Sequence, residues 1–566
     1  MRYLPVVRCD PLTGVVFLLA CVGMSAALAV MHANFIPLWR QVFLLTQALT
    51  FVAAMVLVVQ WLYSGVATVR GRQRVWAMVF LLVCVLAFGS MASSAFAKHD
   101  EIYSWNLWAI EHFQRKPYDL HYTQAVYPQG YSYWLASIYL AQGQFVSQWG
   151  VRLAAGLPVL LLLGTACAAW QTPADKRALA MQVGITGCAL LSAGKNLLMG
   201  YADPLMSAAL VVSMAALVRY AKDPVCLGWL WASVGAAVLA AYIKQPAVLW
   251  VGGSLPLIAL AGMLKWGWPR SALVLVLVGA ALVGYGTFVV SAGITDNQGV
   301  ISRAIGGQSL WQVFAGSSYR YLIKRPDVLL IMLGSWLAVR RIPFLHLAWW
   351  LGITPMLLLW FTLGSYESRH GTHVIWLAAL LWLAALSWAK GPCTSHRAVQ
   401  SALAASEVRQ LWISVIGAAL FVLSIPVATV AGAQIRGTDL QDGQKTAFIR
   451  QMGARDAGAF FSQLVREQSH VFVTSNYSWG LFYGRLPVAR AEDHADQGVL
   501  SLAQLLVESH ANYAISSGHY AYGSHSQRLL GLYKRCPGAL TEVMVSSDGE
   551  FKIFAIQENT LRSCLE

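Results

Sequence analysis

Apolar residues in this chain come in blocks of about 20 that are separated by short polar links. A helix of about 20 residues is long enough to cross the roughly 30 Å of hydrocarbon in a bilayer. The pattern therefore predicts a polytopic α-helical membrane protein. The blocks predict about thirteen spanning helices, near residues 12–32, 41–62, 75–96, 149–170, 179–194, 201–219, 225–242, 246–263, 271–290, 327–339, 344–363, 372–388 and 411–432.

A different pattern begins near residue 433. About half of all Asp and Glu residues lie in 433–566, and short runs replace the long apolar blocks. This segment predicts a soluble C-terminal α/β domain, whose only cysteines, Cys536 and Cys564, could pair in an oxidising compartment. A helical period covers 456–467, and strand-like runs lie at 470–474, 513–516, 543–546 and 551–556.

Composition and charge give this architecture an orientation. The chain is 57% hydrophobic and 11% charged, whereas soluble domains carry about 25% charged residues. The net charge of +15 comes from Lys and Arg in alternate links, as the positive-inside rule expects of cytoplasmic links. With a cytoplasmic N-terminus, the odd number of spans places the C-terminal domain on the periplasmic side of a bacterial inner membrane. The basic residues form no stripe, so nucleic acid is not expected as a partner.

We divide the chain into three parts on this basis. Residues 1–74 hold two extra N-terminal spans, which we expect to be retained because further spans follow at once. Residues 75–432 form a membrane core with a large external loop at 97–148, and residues 433–566 form the extracytoplasmic domain.

The external loop begins with two adjacent carboxylates. Asp100 and Glu101 directly follow the third predicted span, and the segment 105–113, which contains Glu111, is amphipathic and suits the membrane interface. A carboxylate at that depth can act as a general base toward an acceptor hydroxyl while a lipid partner stays in the membrane. The alternative is an ordinary interfacial acidic pair.

Two further external links hold ionisable groups at membrane depth. Lys195 and Asp203 flank the short turn within 194–204, and such groups usually face a polar cavity because burying them in lipid is costly. Lys244 ends one apolar block and Pro246 opens the next, with snorkelling of the lysine to the interface as the alternative.

The link at 365–373, S-Y-E-S-R-H-G-T-H, offers groups suited to phosphate. Arg369 has a planar guanidinium fork that matches phosphate oxygens, and His370 and His373 can donate further bonds. Acidic groups for an acceptor and basic groups for a phosphate are thus expected on one face of the membrane. The loop before residue 326 adds positive charge on the same side, with Arg320, Lys324 and Arg325.

Together these motifs resemble the GT-C superfamily of polyprenyl-phosphate-sugar glycosyltransferases, which includes protein O-mannosyltransferases and lipid A aminoarabinose transferases. The resemblance covers roughly residues 75–566 and implies a GT-C-like membrane enzyme that moves a sugar from a polyprenyl-phosphate donor to a glycan, lipid or protein acceptor. The matching motifs are H-D-E at 99–101, V-Y-P-Q-G-Y-S-Y-W at 126–134, Y-A-D-P at 201–204, K-Q-P at 244–246, the E-S-R-H link and the C-terminal domain.

The resemblance also implies roles for single residues. Asp100 would be the catalytic base, with Glu101 as the competing candidate; Asp203 would be the second acidic residue, and Glu111 would share its work. The sugar would pass with inversion in one displacement. The sequence departs from the family pattern at Gln129, where many relatives have a second proline, and no DxD pair follows Asp203, so a divalent metal is left open. The donor phosphate would be held by Lys195, Lys244, Arg320, Arg369 and His370.

Two other functions are compatible with the sequence. A secondary transporter also places Lys and Asp along its path, although the chain shows no repeated halves and no matching broken spans. A ligase of polyprenyl-linked glycans would use the same lipid-phosphate chemistry with a different acceptor.

Overall fold

The structure is a computed structural model of the 566-residue chain, and it divides into two compact units. The first comprises 1–91, 115–142 and 153–428, and the second comprises 92–114, 143–152 and 429–566. The residues that the structure describes are 11–68, 96, 101–115, 128–145, 148–169, 176–198, 200–222, 227–266, 308–362, 368–388, 445, 448–449, 452–454, 456–474, 488–490, 499–517, 525–549 and 551–564.

Helices dominate this part of the chain. The helices of the membrane region are α1 (Pro11–Asn34), α2 (Arg40–Thr68), α3 (Leu107–Phe113), α4 (Gly130–Gln142), α5 (Trp149–Ala154), α6 (Leu157–Ala169), α7 (Lys176–Ala193), α8 (Ala202–Lys222), α9 (Leu227–Ile243), α10 (Ala247–Trp266), α11 (Leu310–Ser318), α12 (Pro326–Val339), α13 (Pro343–Ala348), α14 (Thr354–Thr362) and α15 (Thr372–Trp388). Toward the C-terminus follow α16 (Ala457–Arg466), α17 (Val499–Glu508), α18 (His525–Arg535) and α19 (Glu558–Ser563).

The predicted spans can be compared with these helices. Ten of them fall largely on described residues and all ten are helical there, whereas 75–96, apart from Phe96, and 271–290 and 411–432 lie outside the described residues. Six helices in the described ranges are long and apolar enough to cross a membrane, and shorter apolar helices accompany them. The chain is a multi-pass helical membrane protein, as the apolar blocks predict.

Helix α8 lies at the centre of the first unit, where it packs against α1, α6, α9, α10 and α15. Its sequence is rich in Ala and Ser, and small side chains let neighbouring helices approach closely. Ser213 on α8 accepts a hydrogen bond from the indole Nε1 of Trp250 at 2.9 Å and donates one to the carbonyl of Ser233 at 2.8 Å. These bonds fix α8 against α9 and α10.

Helix α4 is a buried element within the region that the sequence assigns to the external loop. It packs against α1 and α2, and its contacts include a bond from Gln47 to Ser137 at 2.8 Å. Arg40 at the start of α2 donates to the carbonyls of Ala141 and Gln142, both at 2.8 Å, and so caps the end of α4.

The second unit contains a five-stranded mixed sheet in the order β2-β1-β3-β5-β4. The first three strands are parallel, and β5 runs antiparallel to both β3 and β4. Leu502, Leu529 and Leu561, from α17, α18 and α19, pack with Phe472 of β1 in one core, so these helices cover one face of the sheet. The strands are β1 (Val471–Val473), β2 (Val488–Arg490), β3 (Tyr513–Ser517), β4 (Leu540–Val545) and β5 (Phe551–Ile556).

A disulfide closes this domain. Cys536 at the end of α18 is bonded to Cys564 after α19, with a Cα–Cα distance of 6.1 Å. The bond joins the two elements on either side of the β4–β5 hairpin. The pairing that the sequence left open is therefore present in the structure, and the soluble α/β domain is confirmed as the fold of this segment.

Candidate active site

Four turns meet at one end of the first unit. The turns precede α8, α10, α12 and α15, and each has a bond to another turn or helix end. Asn196 donates to Ser368 at 3.3 Å, and Arg325 donates to the carbonyl of Ser192 at 3.0 Å. The described parts of the links at 194–204, 244–246 and 365–373, which the sequence treats as separate motifs, therefore lie together.

Asp203 and Lys244 form a buried ion pair at this end. The Lys244 ammonium lies 2.7 Å from Oδ1 and 2.8 Å from Oδ2 of Asp203. Lys244 is only 7% exposed, and Asp203 is only 2% exposed. Asp203 lies in the first turn of α8, where a carboxylate is favoured by the helix dipole. Lys244 directly follows α9, and because its ammonium is buried in this pair it does not extend to the interface as the snorkelling alternative expects.

Arg369 lies beside this pair. It belongs to the 3₁₀ turn Ser368–Gly371, and its guanidinium carbon lies 4.0 Å from the ring centroid of Tyr201, two residues before Asp203. Arg369 is only 9% exposed and lies close enough to interact electrostatically with Asp203. A cation stacked on an aromatic face at this distance is held in place, so its fork is presented at a fixed position.

Two histidines complete the cluster. His370 and His373 both interact electrostatically with Asp203, and His373 also interacts with Lys244. His373 is the second residue of α15 and is buried. Gly371 between them packs directly against the ring of Trp360, and a Cβ at this position would overlap that ring. The turn therefore needs glycine to bring Arg369 and His373 to the ion pair.

The remaining predicted phosphate ligands are Lys195 and Arg320. Lys195 is part of the 3₁₀ helix Gly194–Leu198, with its side chain outside the described residues. Arg320 is exposed, and its guanidinium carbon lies 6.0 Å from the ring centroid of Tyr321. Arg325 has a different role, because its Nη2 forms a 2.5 Å ion pair with Asp327.

The predicted carboxylates Glu101 and Glu111 of the external loop belong to the second unit. Asp100 lies outside the described residues. Glu101 begins a π-helical turn, Glu101–Asn106, and its side chain is not among those described. Glu111 is half-buried in α3, whose apolar residues are buried in the protein. Within the described ranges, no three His, Cys, Asp or Glu side chains come together as metal ligands.

Two solved structures are similar to this chain. Both are of ArnT from Cupriavidus metallidurans, one in the apo state and one bound to undecaprenyl phosphate. The apo structure is 16% identical, with 87% of this chain and 99% of ArnT covered and a TM-score of 0.49. The bound structure is 16% identical, with 86% and 98% covered and a TM-score of 0.48. No family model and no curated protein matches the chain.

The structure adds partners that sequence reasoning missed. Tyr201 belongs to the Y-A-D-P motif, but its ring stacks on Arg369, which lies 168 positions later in the chain. Trp360 is positioned by Tyr321, with ring centroids 4.7 Å apart. Neither contact has a local sequence pattern, whereas the charges at Asp203, Lys244 and Arg369 stand out because their surroundings are apolar.

Proposed function

We propose that this protein is an integral-membrane glycosyltransferase that moves a sugar from a polyprenyl-phosphate donor to an acceptor on the extracytoplasmic side. The observation that carries the proposal is the buried Asp203–Lys244 pair with Arg369 beside it, at one end of a bundle of spanning helices. Ionisable groups at that depth are costly and usually serve a polar ligand. A lipid phosphate linked to a sugar reaches such a site from the bilayer.

The cations would bind the donor phosphate. Lys244 has three N–H donors, and it donates to both oxygens of Asp203. A third N–H group can therefore donate to an oxygen of the ligand. Arg369 offers a planar fork that matches two phosphate oxygens. The negative charge on the phosphate grows as the sugar leaves, and fixed cations stabilise it. The proposed phosphate ligands are Lys195, Lys244, Arg320, Arg369 and His370.

The reaction would be a single displacement. Asp100, or Glu101 in its place, removes the proton from the acceptor hydroxyl as its oxygen attacks the anomeric carbon of the sugar. The bond between that carbon and the phosphate oxygen breaks, its electron pair stays with the departing polyprenyl phosphate, and the anomeric carbon is inverted. Asp203 and Glu111 would orient the reactants.

The proposed donor is of the same class as the undecaprenyl phosphate bound in the second ArnT structure. The acceptor would be a glycan, a lipid or a protein in the cell envelope. The proposed location is the bacterial inner membrane, with residues 433–566 on the periplasmic side.

Release of undecaprenyl phosphate by the purified full-length protein tests this proposal. Wild type is incubated with a panel of undecaprenyl-phosphate sugars and with an inner-membrane extract that supplies acceptors. We expect it to release undecaprenyl phosphate from at least one of these donors. Asp100→Asn should lower the rate by about 100-fold or more, because general acid–base groups contribute about 10² to 10⁴. Asp203→Asn, which removes the counter-charge of Lys244, should lower the rate as well. Glu542→Gln, at a solvent-exposed pair with Lys552, should keep the wild-type rate.

Two results would contradict the proposal. Wild-type protein that releases no lipid phosphate from any donor would favour a transporter. Wild-type rates in both Asp variants would remove the proposed roles of these carboxylates.

A further inference from the structure

His373 is a buried imidazole whose two ring nitrogens stand out in the described part of the chain. The residue is 2% exposed, and neither Nδ1 nor Nε2 has a hydrogen-bond partner among the residues that the structure describes. Buried polar atoms in native proteins are almost always paired, with protein, water or a ligand. An imidazole with one N–H needs both an acceptor and a donor, so the missing partner must supply both kinds of group.

The neighbours of His373 are the groups of the proposed active site. Asp203, Lys244 and His370 interact with it electrostatically, and both oxygens of Asp203 accept from Lys244. The unused nitrogens therefore lie at the cluster and not in a separate apolar part of the bundle.

Two more unpaired polar atoms lie within one turn of His373 on α15. Thr372 Oγ1 and Trp376 Nε1 are buried and have no hydrogen-bond partner within the described ranges. Three neighbouring positions of one helix thus offer donors and acceptors that the described part of the protein does not satisfy.

We propose that His373 hydrogen-bonds hydroxyl groups of the donor sugar and helps to select that sugar; this rests on the proposed glycosyltransferase function. The phosphate diester of the donor offers only acceptors, so it can satisfy the N–H but not the second ring nitrogen. A sugar carries hydroxyls on neighbouring carbons, and each hydroxyl both donates and accepts. A site that pairs a substrate hydroxyl rejects analogues that lack it, because its own buried groups are then left unpaired.

The test compares His373→Phe, which keeps a ring but removes both nitrogens, with His373→Gln, which keeps a donor and an acceptor. The donor is the undecaprenyl-phosphate sugar that wild type turns over, and undecaprenyl phosphate alone is the probe without sugar. We expect His373→Phe to lower kcat/KM by about 10-fold or more while the Kd for undecaprenyl phosphate changes by less than about 3-fold. His373→Gln should recover most of the loss.

Donors that lack one hydroxyl at a time identify the partner. The donor deoxygenated at the recognised position should be a poor substrate for wild type, and His373→Phe should show little further loss with it. His346→Phe is the matched control, because His346 lies in α13 and its Nε2 accepts from Trp350, whereas both nitrogens of His373 lack a partner among the described residues. It should respond to every deoxy donor as wild type does.

The outcomes separate this inference from the function on which it rests. Equal loss of undecaprenyl phosphate affinity and kcat/KM in His373→Phe would make His373 a phosphate ligand and overturn the inference. The inference would also be overturned if each deoxy donor reduced kcat/KM by the same factor in His373→Phe as in wild type. The partner of His373 would then be water and not a sugar hydroxyl. Wild type that turns over no donor would overturn the proposed function, and this inference with it.

Discussion

The two ends of α8 both carry charge, but the charges are satisfied in different ways. At its first turn, Asp203 is buried in an ion pair with Lys244. At its last turn, Arg219 donates to the carbonyl of Ala168 at 3.0 Å, and Lys222 donates to the carbonyl of Ser387 at 3.2 Å. One end pairs charge with charge, and the other pairs cations with the final carbonyls of α6 and α15.

Helix capping accounts for the second end. The last carbonyls of a helix have no partner within it, and cations near its C-terminus are favoured by the dipole. Arg219 and Lys222 therefore have a structural reason to be where they are. Capping does not require a buried lysine opposite Asp203 or an arginine stacked on Tyr201. The comparison separates charge that the fold needs from charge that a ligand would explain.

The largest expected effect is on stability at the ion pair. Asp203→Ala leaves the Lys244 ammonium buried without its counter-charge, and breaking a buried pair in this way costs about 3–5 kcal/mol of unfolding free energy. The double variant Asp203→Ala/Lys244→Met removes both charges and should recover most of that loss. Denaturant unfolding in one detergent measures both. Equal losses in the single and double variants would show that unpaired charge is not the cause.

The next effect separates the two ends by ligand binding. Arg369→Ala should weaken the Kd for undecaprenyl phosphate by about 10- to 150-fold, since a hydrogen bond to a charged group contributes about 1.5–3 kcal/mol. Arg219→Ala, at the other end of α8, should change that Kd by less than about 2-fold. Arg369→Lys keeps the charge but loses the fork, so an intermediate Kd is expected. Equal Kd values for the two alanine variants would leave Arg369 as an anchor only.

The sequence locates elements whose pattern is local. The predicted span 372–388 coincides with α15, and the predicted strand 551–556 coincides with β5. Helix α4 was not predicted, because its 13 residues are too few for a span and most of its partners lie about 100 positions earlier, on α1 and α2. Strand β2 has only three residues, which is too short for a period to show.

The candidate site divides in the same way. The sequence singles out Asp203, Lys244, Arg369 and His370 one by one, since a charge within an apolar region stands out locally. It does not show that Lys244 pairs with Asp203, because 41 positions separate them and only the packing of α8 on α9 brings them together. Nor does it show that Arg325 pairs with Asp327, which makes that arginine part of the fold.

The smallest expected effect tests whether helix capping alone explains the cations at the last turn of α8. Lys222 donates to Ser387 and lies 5.2 Å from the ring centroid of Trp388, so Lys222→Gln loses a helix-end cation and a cation–π contact. Each contributes about 0.3–1 kcal/mol, and we expect a loss of about 1 kcal/mol in unfolding free energy with donor turnover unchanged. Arg341→Gln, an exposed residue beyond α12, should stay within about 0.5 kcal/mol of wild type. A fall in turnover at normal stability would mean that the Lys222 end also contributes to function, and the contrast between the two ends of α8 would no longer hold.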